Sequence, residues 1–181
     1  MSGPDLRRGL LIAALGLGFG ARAEERDWRL GATAGVLLHE VASGNRAPLP
    51  TVDLRLERRL APGWRLELAY GFGLTWGGEV LTATTQLHRL ALRPGFVLPF
   101  QRSAVVVSLG PAVSATHTDL YQAGAHLTQG TRVQAGASAG AAFEVRLPST
   151  TLRMGLDGVG WLDRVDLVVG LGAMFDLGVR R

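Results

Sequence analysis

Four histidines, His39, His88, His117 and His126, and a scatter of single arginines and carboxylates carry the chemical potential of this 181-residue chain. The histidines fall near Glu40, Glu79 and Asp119, and imidazole with carboxylate is a donor set for divalent cations or for a pH response. Their spacing within any one element supports neither. Hydrolysis needs a nucleophile beside a base. His88 has no His-x-Ser arrangement beside it, while His117-Thr118-Asp119 sits in a polar stretch whose arrangement in space is left open. P-loop, GxSxG and HExxH patterns are missing. The chain has no Cys, which removes disulfides, thiolate metal sites and Cys nucleophiles. No catalytic residue, cofactor or metal site is called.

The arginines and carboxylates mean more once the elements that carry them are read. From Trp64 to Trp76 every even position is large and apolar (Trp64, Leu66, Leu68, Tyr70, Phe72, Leu74, Trp76), and Arg65, Glu67, Ala69, Gly71, Gly73 and Thr75 lie between. Period two with unlike faces is a β-strand. The same alternation runs through Val52–Leu60, Leu90–Leu98, Val105–Val113, Val133–Leu147 and Val165–Val179, and also through Trp28–Leu38 and Thr150–Leu156. About eight strands result. Ala61-Pro62-Gly63, Pro99–Arg102 and Pro148-Ser149 read as tight turns, and the stretches near 40–49, 77–82 and 116–127 as longer connections. Short hairpins at one end and long ones at the other describe an up-and-down meander. The connection at Leu162-Asp163-Arg164 is shorter than that rule expects.

Composition bounds the reading. The chain is 47% apolar and only 19% charged, one domain's worth of sequence with 25 Gly, and all 19 basic residues are Arg. The arginines stand singly among apolar residues, so the net charge of +4 implies no nucleic-acid partner. Arg7 and Arg8, an apolar run from Gly9 to Gly20, and Ala21-Arg22-Ala23 form a secretory signal peptide over residues 1–23. Its apolar run is shorter than the roughly 20 residues a membrane helix needs. Residues 24–181 are the mature domain.

An alternating apolar face is buried inward in a soluble barrel and outward in a membrane barrel. A soluble outer face would carry long charged side chains over about a quarter to a third of its positions. Here the polar face is mostly Gly, Ala, Ser and Thr with a few Arg and Glu, which suits a narrow eight-strand interior. Trp64 and Trp76 share a face twelve residues apart, about 28 Å along the axis of a barrel tilted at 45°, near the roughly 25 Å apolar band of a membrane barrel. With Trp28, Phe100 and Trp161 they form the expected aromatic girdle. Arg58, at a strand end, is expected to snorkel to the interface. The fold class is therefore all-β, an antiparallel up-and-down transmembrane β-barrel of about eight strands. The soluble alternative would turn Trp64, Leu66 and Phe72 inward.

This pattern over residues 24–181 resembles the small outer-membrane β-barrel family that includes the OmpA transmembrane domain, OmpX and OmpW. Gly170-Leu171-Gly172-Ala173-Met174-Phe175-Asp176-Leu177 looks like a final-strand assembly signal, although the chain continues through Gly178-Val179-Arg180-Arg181 where the family ends on an aromatic residue. The resemblance implies a monomer in the cell outer membrane, with lipid and lipopolysaccharide around it and the barrel-assembly machinery as its partner during biogenesis.

With the amino terminus on the periplasmic side, Arg29, Glu57, Arg59, Arg65, Glu67, Glu144, Arg146, Arg153, Asp176 and Arg180 fall in the inner half of the lumen. They are expected to form ion pairs, because buried charge is tolerated only when paired. The outer half holds Gly71, Gly73, Thr75, Ser108, Gly110, Ser114, Gln134, Gly136 and Ser138, which leaves room for a pocket open to the outside. The expected role is structural or surface-interacting with a plugged lumen, and the alternatives are a narrow channel or small-ligand carrier, a lipid A-modifying enzyme, or a soluble periplasmic barrel that binds an apolar ligand.

Overall fold

The computed structural model describes residues 28–40, 46–77, 81–161 and 165–177. The segment 1–23, Glu79, residues 162–164, Arg180 and the last residues lie outside them, as do the side chains of His39, Glu40, Thr75 and Trp76. Eight strands follow one another: β1 (Trp28–Glu40), β2 (Arg46–Ala61), β3 (Trp64–Gly77), β4 (Leu81–Pro99), β5 (Ser103–Gln122), β6 (Ala125–Arg146), β7 (Thr151–Gly160) and β8 (Val165–Asp176). Each pairs antiparallel with the next, and β8 pairs with β1 to close the barrel. Closure leaves no edge within the wall.

The alternation of the sequence sets the two faces. Leu30, Leu54, Leu68, Phe96, Leu109, Phe143, Leu156 and Leu171, one from each strand in order, are all exposed on the outside. The buried residues include Asp53, Arg55, Glu57, Glu67, Arg93, Glu144, Arg153 and Asp157, which turn inward. A water-soluble domain would do the reverse. Along β5 the outward positions from Val105 to Ala115 are all apolar, and so are those of β6 from Val133 to Val145. Ten residues at about 3.4 Å each, tilted by about 45°, span about 24 Å, the height of a bilayer's apolar band. Trp64 and Phe72 face outward with this band, so the inward orientation required of a soluble barrel is not found.

The strands are strongly tilted. A row of partners starting at Thr33 runs through Asp53, Gly71, Arg89 and Ser114 to Gln134. It arrives on β6 three residues beyond Ala137, the outermost position that β7 reaches. Residues on one row therefore stand at different heights.

At the end where β1 begins and β8 finishes, the connections are short. Pro62-Gly63 turns β2 into β3, with Gly63 at φ 79°, which a residue bearing Cβ rarely adopts. The other end departs from expectation at 116–127, where no long loop exists: β5 continues to Gln122, β6 starts at Ala125, and Ala123 (φ 48°) and Gly124 (φ 82°) make the turn. Two successive positive φ values match a type I′ hairpin turn, whose twist suits the strands it joins.

The outer part of the lumen also differs from expectation. Leu37, Leu49, Leu87 and Val168 pack into a buried cluster there, and Ala91, Ala112, Val159 and Trp161 form a second. Trp161 was expected in the girdle but is only 8% exposed, its indole N–H donating to Asp166 Oδ2 at 2.6 Å. Burial of the ring is favourable only because that N–H finds an acceptor. Variants retaining only Trp64 or only Trp161, reconstituted in bilayers of brominated lipid, should behave oppositely. Trp64 fluorescence should be quenched severalfold and Trp161 fluorescence left nearly unchanged.

Candidate functional site

Eleven charged side chains meet inside the barrel. Arg29 comes from β1, Asp53, Arg55 and Glu57 from β2, Arg65 and Glu67 from β3, and Arg89 and Arg93 from β4. Glu144 belongs to β6, and Arg153 and Asp157 to β7. They share a face because the two-residue period of each strand puts its polar parity inward.

The inner level is built on two carboxylates. Glu57 accepts from Arg29 Nη1 at 3.1 Å, Arg65 Nη1 at 3.2 Å and Arg153 Nη1 at 2.5 Å. Glu144 accepts from the same three arginines, at 3.1, 2.8 and 3.1 Å. Arg153 Nη2 then reaches Glu67 Oε2 at 2.8 Å and joins this level to the next. There Glu67 also holds Arg55 at 3.1 Å and is gripped by Arg93 through Nε at 2.9 Å and through Nη2. Asp157 accepts from Arg93 Nη1 at 2.6 Å and from Arg55. Asp53 lies 3.3 Å from Arg55 and 3.2 Å from Arg89, which extends the network outward. Six guanidiniums and five carboxylates nearly neutralise one another, which is the condition for keeping charge inside a low-dielectric wall.

Two glycines make the space. A Cβ on Gly71 would lie 2.3 Å from Asp53 Oδ1, and one on Gly140 would lie 2.3 Å from Asp157 Oδ1 and 2.9 Å from Arg93 Nη1. At each, a carboxylate occupies the space that a side chain would take.

Of the residues singled out in the sequence, Arg29, Glu57, Arg65, Glu67, Glu144 and Arg153 come together. Asp176 touches the cluster only from the rim, 3.7 Å from Arg29 and largely exposed. Arg59 and Arg146 do not join it: both are exposed beside the short turns, where water can solvate them. Asp53, Arg55, Arg89, Arg93 and Asp157 belong to the cluster but were not among the candidates, although their inward parity was legible. Of the girdle candidates, Trp64 meets Phe96 edge to face at 5.3 Å and Phe100 is exposed. Trp28 lies under the guanidinium of Arg58, 5.3 Å away, which is how that cation is accommodated at the outer face.

His88, His117 and His126 lie outside the lumen. Tyr70 Oη and His88 Nδ1 are hydrogen-bonded at 2.7 Å. On the β5–β6 hairpin, Asp119 holds His117 Nε2 at 3.3 Å and His126 Nε2 at 3.4 Å, and His117 Nδ1 bonds Thr131 Oγ1 at 2.8 Å. Among the described residues no three of His, Asp and Glu are grouped so as to hold a metal ion.

The sequence matches no protein-family model and no curated protein. Solved structures do match in three dimensions. Ail, the attachment invasion locus protein of Yersinia pestis, superposes with a TM-score of 0.60 at 12% identity over 82% of this chain and 95% of its own. The N-terminal β-barrel domain of Pseudomonas aeruginosa OprF gives 0.55 at 19% identity, covering 83% and 96%. The chain has the fold of the small eight-stranded outer-membrane β-barrels. A major outer membrane protein of Thermus thermophilus is similar at 0.55, with 13% identity over 82% and 98%.

Replacing Glu67 by Leu takes one carboxylate from each of Arg55, Arg93 and Arg153 and leaves the buried cluster short of negative charge, and unfolding should become easier by about 3–5 kcal/mol. Gly140→Ala should also destabilise, because Asp157 must give way. Both are read from the temperature at which the compact, fast-migrating gel form of the barrel is lost.

Proposed function

We propose that this chain is an integral outer-membrane β-barrel protein, exported by residues 1–23, with a sealed lumen and a structural or surface-interacting role. The observation that carries the reading is that the lumen is filled at two levels by different chemistry. Paired arginines and carboxylates occupy the inner part, and Leu37, Leu49, Leu87 and Val168 close the outer part. A permeating ion would have to separate buried ion pairs and also pass the apolar cluster of leucine and valine, each at a cost of several kcal/mol. Eight strands enclose little more than their own side chains, which agrees with this reading. The outward apolar band supports insertion in a bilayer, and the short-turn end, with both strand termini, supports a periplasmic position for that end. The surrounding molecules would be outer-membrane lipid and lipopolysaccharide, with the barrel a monomer delivered by the assembly machinery.

A second reading has one specific observation in its favour. Thr131, His117 and Asp119 form a hydroxyl–imidazole–carboxylate line on the outward face of β5 and β6, the order of groups used to activate a nucleophile. It would act on lipid A or another outer-leaflet lipid.

Planar-bilayer recordings should show no discrete conductance steps for the purified barrel, and ohmic steps would overturn the sealed-lumen reading. Mass spectra of outer-membrane lipid should be the same with the wild-type chain and with His117→Ala. A lipid product that disappears in His117→Ala would establish the enzymatic reading instead.

A further inference from the structure

The short-turn end of the lumen carries more positive charge than it neutralises. Arg29, Arg65 and Arg153 share Glu57 and Glu144 there, and Asp176 stands on the rim 3.7 Å from Arg29. Arg59 and Arg146 add two exposed guanidiniums that, among the described residues, meet no acid. Two positive charges are left over. Beyond the strand ends Glu24, Glu25 and Asp27 only balance Arg26, Arg180 and Arg181, so the surplus remains.

The surplus is gathered in one place. Arg29 Nη1 lies 3.1 Å from Glu57 and 3.1 Å from Glu144, so these acids of β2 and β6 meet across the barrel. Arg59 follows Glu57 on β2 and Arg146 follows Glu144 on β6, each two residues and about 7 Å along the strand nearer the mouth. Both keep the inward parity of their glutamate, so the two guanidiniums flank the same opening from opposite strands of the barrel. Arg59 is also the direct cross-strand partner of Arg65, a pairing of like charges that is unfavourable without an anion beside it. At the same level Arg29 Nη2 is buried with no hydrogen-bond partner among the described residues.

We infer that this mouth is a binding site for a phosphate-class oxyanion, held between Arg59 and Arg146. The two surplus charges match a dianion, and guanidinium forks bind such oxygens through paired N–H donors. Membrane lipid is not the source of the anion. The lipid-side cation at this end is Arg58, which has the opposite parity and stacks on Trp28. Arg59 and Arg146 have lumen parity, so the ligand arrives from water, as free phosphate or as the phosphoryl group of a larger soluble molecule. Glu57 and Glu144 lie just beyond the site and repel an anion, which keeps it at the mouth and agrees with a sealed lumen. That the water is periplasmic rests on the orientation proposed above.

The full barrel, in nanodiscs of zwitterionic lipid at about pH 8 where phosphate is a dianion, is titrated calorimetrically with inorganic phosphate and with glycerol phosphate. Saturable binding is expected. Tighter binding of the free ion assigns the site to phosphate itself, and an ester that binds at least as tightly assigns it to a phosphoryl group on a larger molecule. The double variant Arg59→Gln, Arg146→Gln should bind at least about tenfold more weakly, while Arg58→Gln, which removes a charge on the lipid side, should change affinity by no more than about twofold. These positions lie outside the ion-pair cluster, and retention of the compact gel form shows that the variants fold. No saturable binding, equally tight binding of acetate, or equal losses in the double variant and in Arg58→Gln would overturn the inference. Because the chain has no Cys, Ser149→Cys puts a unique thiol at the short-turn end. It should resist a membrane-impermeant maleimide on intact cells. Labelling there would overturn the periplasmic position and leave the anion site standing.

Discussion

Charge confined in a narrow interior has to be neutralised where it stands, and most of this barrel's internal architecture follows from that. An unpaired guanidinium or carboxylate in the lumen would face a desolvation cost of several kcal/mol, so each acid in the cluster serves at least two arginines. The same demand fixes positions with no charge. Gly71 and Gly140 sit opposite Asp53 and Asp157, where even a methyl group would occupy the carboxylate's place. β5 and β8 supply no member of the cluster and instead line the lumen with Ser108, Gly170 and Gly172. The strand-to-strand hydrogen bonds close the wall, but the ion pairs determine which wall residues can be large.

The fold could be read from sequence because period two persists in all eight strands and because the charged parity lies opposite the aromatic one. Arg65 and Glu67 between Trp64, Leu66 and Leu68 define both faces in five residues. Height was harder to read. Counting from the turns treats paired residues as level, yet the row from Thr33 climbs around the barrel as the strands tilt. Arg93 is the direct β4 partner of Glu67, and Asp157 joins the same level from β7 through Arg93 and Arg55.

Trp161 escaped the sequence reading for another reason. Its position at a strand end matched the girdle rule, but its odd parity is that of Arg153, Asp157 and Val159, which turn inward. Asp166, five residues later on the next strand, offers the indole an acceptor within the lumen and so makes that burial tolerable. The girdle rule, which looks only at nearness to a strand end, overrode the period, and the acceptor across the turn could not be seen in one strand. The hairpin at Ala123-Gly124 was hidden similarly, since polar residues there resembled a loop while the turn itself needed only two positive φ values.

The shared carboxylates also make the lumen unequal in its tolerance of genetic drift. Arg29, Arg65 and Arg153 all converge on Glu57 and Glu144, so the loss of one arginine leaves each acid with two donors. The loss of one glutamate leaves the three cations sharing the other, with only Arg153 holding a second buried acid, Glu67. Across descendants of this sequence, the arginines are the positions free to wander, while the two acids have to be inherited together.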